Sequence, residues 1–92
     1  MKKILIVEDQ PDIRKLIRMT LEFEDYEIHE AADGAFGLRM ASAVGPDLVL
    51  LDVMMPGELD GLQVCQRIKS DPKLAGLKVV LLTARGQARD RE

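Results

Sequence analysis

Short apolar runs alternate along the chain with longer stretches in which apolar residues recur every three or four positions. The first run, Lys3 to Val7, is rich in β-branched residues, ends at Glu8-Asp9 and predicts a strand. Pro11 stands where a first helical turn tolerates it, with Asp9 as the cap before it. Ile13, Leu16, Ile17, Thr20 and Leu21 follow at helical spacing and predict an amphipathic helix to about Phe23. Tyr26 to Ala31 alternates polar and apolar residues, the pattern of a strand at a sheet edge. Asp33-Gly34 signals a turn; Ala35, Leu38 and Ala41 or Ser42 then give a weaker helix ending near Gly45-Pro46. Asp47 to Asp52 is an apolar run bounded by acids, as in a strand buried on both faces. A Pro- and Gly-containing loop covers Val53 to Asp60. The next helix runs from Gly61 to about Lys69, with Leu62, Val64, Cys65 and Ile68 as its inner face. Ser70-Asp71-Pro72 stops it, Lys78 to Leu82 reads as another buried strand, and Thr83 to Glu92 as the polar start of a helix.

The order βαβαβαβ implies a parallel sheet with right-handed crossovers. Ninety-two residues, 47% of them hydrophobic, suit one core and therefore one α/β domain over residues 1–92. There is no internal repeat and no low-complexity linker. Thirteen basic against 16 acidic residues give a net charge of −3, without the basic footprint of a nucleic-acid binder. The longest apolar runs (Ile4 to Val7, Leu48 to Leu51, Val79 to Leu82) are four residues each, too short for a membrane span or a signal peptide. Cys65 is the only cysteine, so no disulfide forms within the chain, which fits a reducing, cytoplasmic setting. It reads as a small buried hydrophobe on a helix.

Ligands of open parallel sheets bind outside the carboxyl ends of the strands. The first strand ends in Glu8 and Asp9, the third in Asp52, the fourth in Thr83-Ala84. In a flavodoxin-like order, 2-1-3-4, these ends are neighbours, and three carboxylates and a hydroxyl share one rim. Crowded carboxylates raise one another's proton affinity unless a cation compensates. An all-oxygen set suits a hard ion, Mg²⁺ above all, which is commonly shared between carboxylates and a phosphate oxygen. Asp52, central on the most buried strand, is the natural nucleophile for an acyl phosphate. The Thr83 hydroxyl and the backbone N–H groups of Val53 and Ala84 are placed to donate to the transferred group. It is the meeting of these acids on one rim that points to chemistry; each taken alone reads more readily as a solvated strand end or a helix cap. Asp33, Asp47, Asp60 and Asp71 are assigned to that class.

Three motifs in order now carry a resemblance: Ile4-Leu5-Ile6-Val7-Glu8-Asp9, Leu48-Val49-Leu50-Leu51-Asp52-Val53-Met54-Met55-Pro56 and Leu81-Leu82-Thr83-Ala84. Together they resemble the receiver domain of two-component response regulators, over essentially the whole chain. The resemblance implies a flavodoxin-like three-layer fold with sheet order 2-1-3-4. It implies that Asp52 takes phosphate from a sensor histidine kinase or phosphotransfer protein, and that Asp9 and Glu8, the latter through water, hold Mg²⁺ together with Asp52 and the Met54 carbonyl. Thr83 would be the switch hydroxyl read by a partner or an output domain, and Met54 and Arg85 the positions that tune dephosphorylation.

Two departures from the family pattern stand out. The glycine expected four residues after the Met-Pro proline comes one residue later, as Asp60-Gly61, so the loop beside the site is longer by one. A full receiver also has a fifth strand, a fifth helix and, after that strand, a Lys-Pro pair whose lysine meets the phosphoryl group. No residue here takes that lysine's role; Lys78 begins a strand and lies at the wrong end. The expectation is therefore a C-terminally incomplete receiver whose fourth strand is an apolar edge, open to dimerisation or exchange with a second copy. A phosphorylation-independent interaction module is the competing reading, favoured by the missing lysine and opposed by the complete Glu8, Asp9, Asp52 and Thr83 set. A phosphatase using an aspartyl phosphate would need a second acid at Met54, and a dinucleotide site a Gly-rich loop where Glu8-Asp9-Gln10-Pro11 stands.

Overall fold

The computed structural model describes residues 2–53, 55 and 59–82. Four strands, β1 (Lys2–Val7), β2 (Tyr26–Ala31), β3 (Leu48–Asp52) and β4 (Lys78–Leu82), alternate with helices α1 (Pro11–Leu21), α2 (Gly34–Val44) and α3 (Gly61–Ser70). The strands form one parallel sheet in the order β2-β1-β3-β4, as the alternation and acid placement predict. Along β1 the side chains alternate between the faces. Leu5 and Val7 join Val49, Leu51, Val64 and Ile68 in the core between the sheet and α2 and α3. Ile4 and Ile6, pointing to the opposite face, are equally buried.

The helix ends follow from local chemistry. Asp33 caps α2 by accepting from the Phe36 N–H at 2.8 Å. Asp60 and Gln63 form a reciprocal capping box at the start of α3. Gly45, at φ 65°, closes α2 in the left-handed region where a side chain would be strained. Asp47 accepts from the Lys3 N–H and Asp71 from the Lys73 N–H. Asp33, Asp60 and Asp71 thus serve as the caps and turn residues they were read as, whereas Asp47 instead ties the start of β3 to β1.

Four sequence expectations need correction. The residue before α1 that adopts the cap position is Gln10, not Asp9, and the helix ends at Leu21. Leu16 lies 61% exposed because α1 is rotated to turn Arg14 and Arg18, with Ile13, Ile17 and Leu21, toward the sheet. Leu62 is exposed as well: Gly61 takes the innermost place on α3, so the buried stripe runs Gly61, Val64, Ile68, with Cys65 only half-buried beside it. Finally, β4 is the outer strand of the described sheet as expected, but its faces and one face of β3 are less covered than expected. Val80 and Leu81 are exposed and Leu48 and Leu50 half-buried, where strands buried on both faces were predicted.

Candidate functional site

Glu8 and Asp9 leave the sheet directly after β1, and Asp52 is the last residue of β3. Because β1 and β3 are adjacent and parallel, these ends lie side by side. Carboxylate oxygens of Glu8, Asp9 and Asp52 all fall within 4.8 Å of one another. Glu8 and Asp52 are buried, at 3% and 4% exposure, and Asp9 is half-buried. Three of the predicted site residues are therefore brought together. The Met54 carbonyl, Thr83, the Ala84 N–H and Arg85 lie outside the described residues.

The backbone holds these acids in place. The Glu8 N–H donates to the Ala31 carbonyl at 3.0 Å, extending the β1–β2 ladder by one residue. The Glu8 carboxylate accepts from the Gln10 N–H at 3.1 Å. Beyond Asp52, the Gly61 N–H donates to the Val53 carbonyl at 3.1 Å, fastening the start of α3 to the end of β3. The Val53 N–H, expected to face a phosphoryl group, donates instead to the Leu82 carbonyl at 3.1 Å. That donor serves the β3–β4 ladder.

Two unit charges about 4 Å apart repel by about 4 kcal/mol at an effective dielectric of about 20. Such a cluster keeps a proton or takes a cation. Burial accordingly pushes the Glu8 carboxyl from an ordinary 4.5 up to about 7; the Gln10 N–H pulls it down, while Asp9 and Asp52 push it further up. The donors are all oxygen, with no His or Cys among them, and they converge from two strand ends. This fits a hard divalent ion of the Mg²⁺ kind.

Arg14 and Gly61 belong to the site's surroundings; Arg14 was not singled out from the sequence, and Gly61 was marked only as the displaced loop glycine. The Arg14 guanidinium donates through Nη1 to the Glu8 carbonyl at 2.9 Å and through Nε to Glu30 at 3.2 Å. Its signal was present: Arg14 and Arg18 are spaced i, i+4 on α1, and Glu30 stands one residue from the end of β2. Gly61 sits where any Cβ would meet the Asp52 carbonyl oxygen.

Comparison with known proteins agrees with this geometry. The family described as "Response regulator receiver domain" matches residues 4–92. The chain is 42% identical over 91 residues to the DNA-binding dual master transcriptional regulator RpaA of Synechocystis sp., covering 99% of this chain and 37% of RpaA. It is 44% identical over 89 residues to the response regulator PleD of Caulobacter vibrioides, covering 97% of this chain and 19% of PleD. The chain thus spans well under half the length of either relative. Among solved structures, the N-terminal domain of a response regulator receiver protein from Methanoculleus marisnigri aligns with a TM-score of 0.86 and 39% identity, over 91% of this chain and 68% of that one. The signal receiver domain of a signal transduction histidine kinase from Syntrophus aciditrophicus aligns with a TM-score of 0.85 and 35% identity, over 100% and 72%.

Proposed function

The chain belongs to the response regulator receiver family, and on that footing we propose that Asp52 is the phosphoacceptor of a signalling switch. The observation that carries the proposal is the buried meeting of Asp52 with Glu8 and Asp9 at the carboxyl ends of adjacent parallel strands. Receiver domains take phosphoryl groups from histidine kinases or phosphotransfer proteins and are signalling phosphoacceptors rather than classical enzymes. A carboxylate oxygen of Asp52 attacks phosphorus, the phosphorus–nitrogen bond of the donor breaks, and the electron pair leaves with the imidazole. Glu8 and Asp9, with Asp52 and the Met54 carbonyl, are the proposed Mg²⁺ ligands. When bound, the cation supplies the charge that lets a phosphoryl group approach Asp52. Glu8 gives up its proton to make that site available, which its raised proton affinity makes a step of neutral pH.

The register Asp52↔Leu82 supports a switch role for Thr83, the next residue along the chain. Its hydroxyl and the Ala84 N–H are the proposed donors to the phosphoryl oxygens, with Met54 and Arg85 as the proposed tuning positions. The Val53 N–H joins them only by giving up its bond to Leu82. A kinase or phosphotransfer protein upstream, and an output domain or separate partner downstream, complete the proposed switch. A cytoplasmic setting is part of the same reading. No described helix is long and apolar enough to cross a membrane.

Intact-mass measurement after incubation with Mg²⁺ and acetyl phosphate tests the reading. One phosphoryl adduct on the wild-type chain, absent from Asp52→Asn, supports it. An adduct that survives Asp52→Asn, or none on the folded wild type, overturns it.

A further inference from the structure

We propose that Arg14 is a positioning residue of the acid site, clamping the segment Glu8-Asp9-Gln10 so that its carboxylates stay gathered beside Asp52. The inference rests on reading Glu8, Asp9 and Asp52 as a Mg²⁺ site. Two carbonyls bracket Asp9, and both are bonded to Arg14. Its Nη1 donates to the Glu8 carbonyl at 2.9 Å. Its backbone N–H makes the i→i−4 helical bond to the Gln10 carbonyl at 3.0 Å, which fixes that foot of the segment whatever the side chain at 14. Asp9 is therefore the middle residue of a three-residue arch whose two feet stand on one side chain and its own peptide.

An ordinary ion pair between α1 and β2 would look different. Arginine and a carboxylate commonly pair through two parallel bonds. Here Arg18 Nη1 takes the second oxygen of Glu30, leaving Arg14 only Oε1, at 3.2 Å. The other arm of the Arg14 fork is thereby turned to the Glu8 peptide. Glu30 is held in turn by the β1–β2 register, opposite Ile6 and one residue before Ala31, whose carbonyl receives the Glu8 N–H. The arch is thus tied to β2 twice, once directly and once through the guanidinium. Arg14 is well covered, with a side-chain exposure of 19%.

The arch works against a load. Carboxylate oxygens of Glu8, Asp9 and Asp52 are gathered within 4.8 Å of one another, closer than like charges favour without a cation between them. Without the clamp the segment relaxes outward and the oxygens separate, and a small ion that demands near-octahedral ligands at short distance loses affinity. Lysine cannot replace the clamp, because one ammonium on a flexible stem lacks the fork that reaches Glu30 and the Glu8 carbonyl together.

The test is calorimetric titration of Mg²⁺ into the 92-residue chain, with no phosphodonor present, alongside thermal unfolding. Arg14→Ala is expected to weaken Mg²⁺ binding about tenfold, the lower end of what loss of an outer-shell partner costs. Arg14→Lys, which keeps the charge and the helix propensity, is also expected to bind more weakly than wild type. Ile17→Ala, half-buried on the same side of α1 one turn further on, is the stability control and is expected to keep wild-type affinity. Wild-type affinity in either Arg14 variant, or equal weakening in Ile17→Ala, overturns the clamp alone. A folded wild-type chain that takes up no Mg²⁺ overturns the site reading, and the clamp with it.

Discussion

A Cβ added to Gly61 would overlap the carbonyl oxygen of Asp52 and lie 2.6 Å from the Cα of Val53. The first turn of α3 is therefore seated flush on the peptide that carries the proposed acceptor, and the Gly61 N–H bond to the Val53 carbonyl locks it there. Neither contacting group is a side chain that could swing aside. Gly61→Ala must move the backbone of Asp52, and should cost about 1–3 kcal/mol of stability together with a large loss of phosphoryl uptake. Gly45→Ala is the comparison. It forces a side chain into the left-handed region at a cost of about 1–2 kcal/mol, at a point with open space around it, and should leave uptake unchanged. Urea unfolding and the rate of adduct formation measure the two effects.

The proton on Glu8 gives the folded chain a pH dependence of definite sign. Between about 4.5 and about 7 the folded protein retains a proton that the unfolded chain has released. The contribution of this group is complete below the lower value and is lost as pH rises through the upper one, with a steepest slope of about 1.4 kcal/mol per pH unit. Metal-free protein in chelator should lose urea resistance across that window, and Glu8→Gln should flatten the loss. Added Mg²⁺ should act in the opposite sense, stabilising more as pH rises, because its ligands must be deprotonated.

Two apolar residues of α3, one inside the buried stripe and one outside it, should respond differently to truncation. Ile68, 1% exposed and packed in the core, should cost about 2–5 kcal/mol on replacement by alanine. Leu62, 52% exposed, should change stability by no more than about 0.5 kcal/mol. Equal losses in urea unfolding would place Leu62 inside and refute this orientation of α3.

These cases mark where sequence reasoning reaches and where it stops. Runs such as Ile4 to Val7 and Leu48 to Leu51 announce parallel strands because burial on a sheet leaves few polar positions. The acids after them stand out for the same reason, so Glu8, Asp9 and Asp52 were legible as one rim before any register was known. Arg14 was not, because its partners Glu30 and the Glu8 carbonyl come from another strand and from the backbone. Their meeting depends on the register Ile6↔Glu30 and on how α1 is rotated. Leu16 and Leu62 were misplaced by the same kind of ambiguity. A helical period defines a stripe, but an ion pair or a glycine contact decides which edge of it turns inward. The bond of the Val53 N–H to the Leu82 carbonyl was not legible either, because strand pairing alone fixes that partner.

The most direct measurement on the central claim is to trap the phosphorylated chain with borohydride, which reduces an aspartyl phosphate to homoserine, and to sequence the peptides by mass spectrometry. After treatment with Mg²⁺ and acetyl phosphate, the account predicts homoserine at position 52 and aspartate unchanged at position 9. Homoserine at any other aspartate, or the corresponding reduced alcohol at a glutamate, with Asp52 recovered intact from folded protein, would contradict it.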